Sequence, residues 1–99
     1  MISWFIYDIH SDSEKLNGVM LRGRIRKYGI EKGIDVLAEN TEDRENGVRF
    51  AVTDRQNVQV ISEYVGSVVT DAVITEVLAD VYNPVLSKLK VNQADRYTL

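Results

Sequence analysis

An α+β sandwich in the order strand, helix, strand, strand, helix, strand is the fold class this sequence predicts, on three observations. Alternating or β-branched apolar runs stand near residues 4–9, 34–39, 48–52 and 72–82. Between them, two segments carry apolar residues at helical spacing. The dipeptide Asn46-Gly47 separates the second and third runs, where a tight turn reverses a hairpin. At 99 residues the chain has room for one core, and residues 1–99 read as a single domain.

Each element follows from its own residues. Trp4 to Ile9 is a short apolar and aromatic run closed by the polar cluster Ser11-Asp12-Ser13-Glu14, which predicts a mostly buried strand and then a loop. From about Gly18 to Ile30, Leu21, Ile25 and Tyr28 recur at helical spacing, and Gly29 stands where a C-terminal stop is expected. Gly23 inside this helix costs about 1 kcal/mol against Ala and is expected to permit close packing. Ile34 to Glu39 alternates, and Val48, Phe50 and Val52 alternate after the turn, predicting an antiparallel pair. Thr53 and Gln56 have capping-box spacing, and Val58, Ile61, Val65 and Val68 mark one face of a second helix up to about Ser67. Ala72 to Tyr82 predicts a fourth strand stopped at Asn83-Pro84, and Val85 to Val91 suits a short edge strand. Right-handed crossovers interlock the two βαβ halves, with strands one and three central and both helices on one face: the ferredoxin-like sandwich. Trp4, Phe5, Tyr7 and Phe50 are expected in its core.

Composition limits the chemistry. Twelve Lys and Arg against fifteen Asp and Glu give a net charge of −3, the wrong sign for a strongly basic nucleic-acid or membrane binder. Without cysteine there is no disulfide framework or thiol nucleophile, and His10, the only histidine, offers no zinc cluster. The start, Met1 to His10, lacks the basic region and cleavage site of a secretion signal, and a cytoplasmic protein is expected.

The informative stretch is Lys15-Leu16-Asn17-Gly18-Val19-Met20-Leu21-Arg22. It resembles the signature of the acylphosphatase family, G-x-V-Q-G-V-x-F-R, with Gly18, Val19 and Arg22 matching and Leu16, Asn17 and Leu21 replaced conservatively. Asn40-Thr41 stands at the end of the second strand, where that family carries its asparagine. The chain departs from the pattern in a longer run before Gly18, in an Asp12 where charge opposes an anion, and in Val36, where the family often has glycine.

The residue chemistry agrees with this reading. A loop that opens a helix aims main-chain N–H groups at one spot, favouring an anion. An arginine one turn in offers a planar fork of donors that no pH change removes, and a carboxamide nearby orients water. The resemblance implies hydrolysis of the carboxyl-phosphate bond of acyl phosphates. In this reading Arg22 clamps the phosphate, Asn40 orients the water, and Leu16, Asn17, Gly18 and Val19 bind substrate. No cofactor or metal is implied. The expected partner is a small-molecule acyl phosphate or phosphate, with neither nucleic acid nor membrane, and the protein is expected to be a monomer. Taken singly, Arg22 also suits a solvated helix face and Asn40 a turn. Two other classes share the layout: a non-catalytic module that binds an anion or protein through the same loop, and a single-stranded RNA binder using Tyr7 or Phe5 on an open sheet face.

Overall fold

Side chains alternate along residues 4–10, and this alternation divides the molecule into layers. The computed structural model describes residues 2–13, 15–16, 18–42, 45–82, 84–86 and 90–91. They form β1 (Trp4–His10), α1 (Leu21–Lys32), β2 (Val36–Asn40), β3 (Gly47–Val52), α2 (Gln56–Val68), β4 (Val73–Val81), β5 (Pro84–Val85) and β6 (Lys90–Val91). The first four strands make one sheet in the order β2-β3-β1-β4, antiparallel throughout, with β1 and β3 in the middle. This is the ferredoxin-like βαββαβ arrangement, as the element order predicts.

Tyr7, Ile9, Val48, Phe50, Val52 and Ala38 face the helices and pack on Leu21, Ile25, Ile61 and Val65. Tyr7 and Phe50 stack at a centroid separation of 5.2 Å, and Tyr28 stacks on Tyr64 at 4.1 Å where the helices meet. Phe5, expected in the core, is half-buried beside it, with the Arg55 guanidinium 4.7 Å from its ring centroid. The opposite sheet face is also covered. Trp4, Ile6 and Ala51 form a second cluster with the fully buried Leu86, so all six residues of β3 are buried. An open aromatic sheet platform for RNA is therefore absent among the described residues: Tyr7 faces the helix-side core and Leu86 covers part of the other side.

The boundaries differ from the sequence reading for identifiable reasons. Met20 adopts the left-handed conformation at φ 56°, so α1 begins at Leu21 rather than near Gly18. Gly29 is not the helix stop. It is buried inside α1 against Val36, whereas the left-handed Gly33, at φ 67°, ends the helix. Ile34 donates its N–H to the Gly29 carbonyl at 2.8 Å, completing the cap, and β2 accordingly starts at Val36. Gly23 has no packing partner: an added Cβ would meet open space. At α2, Asp54 rather than the Thr53–Gln56 box acts at the N-terminus, its Oδ1 accepting the Gln56 N–H at 2.9 Å. β4 pairs with β1 through an irregularity near Ile6. The expected edge strand in residues 85–91 is instead the β5–β6 ladder, paired with itself and separate from the main sheet. Asn83 lies outside the described residues.

Candidate functional site

The antiparallel registers bring four chain segments to one end of the sheet. His10 at the end of β1 pairs with Gly47 and with Val73, and Asn40 at the end of β2 pairs with Val48. The loop from β1 into α1 crosses this end, and two side chains hold it. Asn46, left-handed at φ 51°, accepts the Leu16 N–H on Oδ1 at 2.8 Å and donates from Nδ2 to the Ser11 carbonyl at 3.0 Å. Asp71 accepts the Ser11 hydroxyl at 2.6 Å and the Ser13 N–H at 3.2 Å. The Ser11 bond above all, with those from Ser13, holds the Asp71 carboxyl below the usual aspartate range. The sequence identified Asn46 as a turn residue, which it is. Its clasp on the loop depends on a tertiary approach that no local pattern encodes.

Arg22 and Asn40 line one cavity of about 180 Å³, together with Met20, Leu21 and Gly23. Asn40 is half-buried, and Arg22, exposed on the first turn of α1, has no ion pair among the described residues. The first-turn amides of Leu21 and Arg24 donate to the Leu16 and Met20 carbonyls. Those of Arg22 and Gly23 have no protein acceptor among the described residues, the usual state of helix-start donors. The residues that line this cavity thus carry a guanidinium, a carboxamide and two N–H groups without a protein acceptor among the described residues, donors of the kind suited to an anion.

The remaining expected binding residues are not assembled there. Leu16 is buried in the core, its amide given to Asn46 and its carbonyl to Leu21. Val19 donates its N–H to the Lys15 carbonyl at 3.2 Å, so neither amide is turned to a ligand as the loop reading expected. Gly18 is exposed, with Lys15 O 3.2 Å from where a Cβ would stand, and it is not among the residues bordering the cavity. Asn17 lies outside the described residues. Asp12, expected to repel an anion, lines a different hollow with His10, Glu45 and Asn46.

Among the described residues no cluster of three or more His, Asp or Glu is placed to hold a metal, and no helix is long and apolar enough to cross a membrane. No protein-family model, curated protein or solved structure matches this chain.

Proposed function

We propose that this chain is an acylphosphatase-like hydrolase, with Arg22 and Asn40 as its working pair. The observation that supports the reading is their meeting in one cavity: two residues singled out in separate segments for complementary tasks border the same space. The Arg22 guanidinium grips two phosphoryl oxygens, and the free N–H groups of Arg22 and Gly23, at the positive end of α1, take a share of the charge. The Asn40 carboxamide accepts a hydrogen bond from a water and holds its oxygen in line with the bond to be broken.

The water oxygen bonds to phosphorus while the bond from phosphorus to the carboxyl oxygen breaks, its electron pair leaving with the carboxylate. The water's protons pass to the new phosphate, one being lost to solvent at neutral pH. A mixed anhydride has a good leaving group, so positioning and charge stabilisation suffice, without a covalent intermediate. The substrate is a small acyl phosphate, and the reading carries with it the cytoplasmic, monomeric protein expected from the sequence.

Benzoyl phosphate tests this. Phosphate release above a denatured control is expected, falling about a hundredfold in Arg22→Ala or Asn40→Ala proteins that keep the parent circular dichroism spectrum. The N–H groups of Ser13, Leu16, Val19 and Leu21, already satisfied within the protein, favour a second reading, a non-catalytic module that binds phosphate in the same cavity. A melting temperature raised by phosphate, without turnover, selects that reading. Neither effect removes both.

A further inference from the structure

A second hollow of about 300 Å³ adjoins the first along α1, lined by Met20, Gly23, Arg24 and Lys27. The two hollows share Met20 and Gly23. Each shared residue is unusual for its place. Met20 is 71% exposed, an apolar side chain in water on a left-handed backbone that disfavours any residue with a Cβ. Gly23 lies in the first turn of a helix that a side chain would favour, and a Cβ there would touch nothing in the protein. Neither packing nor dihedral angle requires a glycine at this position. Its effect is to leave the helix backbone bare at the junction of the two hollows.

Charge gives the outer hollow a direction. Arg24 donates through Nε to the Val19 carbonyl at 2.7 Å, which fixes its guanidinium beside the hollow, and Lys27 stands one turn further on. α1 carries Arg22, Arg24, Arg26, Lys27 and Lys32 against the single acid Glu31, although the whole chain is net negative at −3. Cationic charge is thus concentrated along the helix that borders both spaces.

Resting on the hydrolytic reading of the Arg22–Asn40 cavity, we infer that the bare helix surface at Gly23 seats the acyl part of the substrate. Its apolar body lies against Met20, and a further anionic group reaches toward Arg24 and Lys27. The substrate class is an acyl phosphate with a second negative charge on its acyl side. Gly23 is then a specificity-determining residue. An added methyl would stand in the space the acyl group needs, and a site built around one shape discriminates strongly against small steric changes.

Benzoyl phosphate and its para-carboxylated analogue are the probes, used with the full chain. The parent is expected to prefer the carboxylated compound in kcat/KM, by a margin that shrinks as ionic strength rises. Gly23→Ala is expected to raise the melting temperature by a few degrees through helix propensity while lowering kcat/KM for the carboxylated compound about tenfold. Gly66→Ala is the control. Gly66 is an exposed glycine of α2 with open space around it and lines neither hollow, so it is expected to stabilise with parent kinetics. Lys27→Glu is expected to abolish the preference between the two compounds. Turnover of both compounds with no preference, or unchanged kinetics in Gly23→Ala, overturns this inference and leaves the hydrolytic reading standing. No turnover of either compound by the parent overturns both.

Discussion

At Gly29 an added methyl would overlap the Cγ1 atom of Val36, and it would stand 3.1 Å from the Ile34 carbonyl. The smallest residue on α1 faces a β-branched one on β2, and the pair sets how closely helix and strand approach. Gly29→Ala is therefore expected to destabilise by about 1–3 kcal/mol, outweighing its gain in helix propensity. Val36→Ala in the same chain should recover most of the loss, a non-additivity that urea denaturation of the two single variants and the double variant reads directly. A buried pair matters as much on the other sheet face. Arg49 binds both carboxylate oxygens of Asp8 and donates from Nη1 to the Leu86 carbonyl at 3.0 Å. Arg49→Ala leaves a buried carboxylate without this partner and an unmet carbonyl, and a loss of about 3–5 kcal/mol is expected in the same measurement.

Among elements, the loop from β1 to α1 carries the most consequence because it sets where α1 begins. Its two ties respond to different tests. Asn46→Gly keeps a residue at ease with positive φ in the turn but removes the side-chain bonds to Leu16 and Ser11. A loss of about 1–3 kcal/mol is expected, with faster amide exchange at Leu16. The tie through Asp71 is pH-dependent. Its carboxyl titrates lower in the folded chain than in the unfolded one, chiefly through the Ser11 hydroxyl. The tie therefore stabilises fully above the ordinary aspartate pKa of about 3.9 and is lost as pH falls through the lowered folded value. Protection of the Ser13 amide should fall across that acid window, and Asp71→Asn should remove the pH dependence. The elements themselves were legible in sequence because alternation and helical spacing are local properties. Their ends were less so: Gly33 rather than Gly29 stops α1 because the choice depends on which glycine β2 packs against.

For the molecule as a whole, the sheet order follows from element order and crossover handedness, and with it the placement of Asn40 beside the start of α1. The meeting of Arg22 and Asn40 was legible for that reason. The covering of the second sheet face was not, since weak alternation in residues 85–91 says nothing about which surface the segment crosses. Leu86, fully buried on Trp4, Ile6 and Ala51, makes this cover part of the core rather than an appendage. Leu86→Ala is expected to cost about 2–5 kcal/mol and lower the midpoint of thermal melting followed by far-ultraviolet circular dichroism. Trp4 is the sole tryptophan of the chain and sits under that residue, across the sheet from the helices. Selectively excited tryptophan emission will consequently watch the rear of the sheet rather than the helix-side hollows. A titration that leaves emission unchanged would carry no information about binding, whereas a red shift on heating would time the departure of the rear cover.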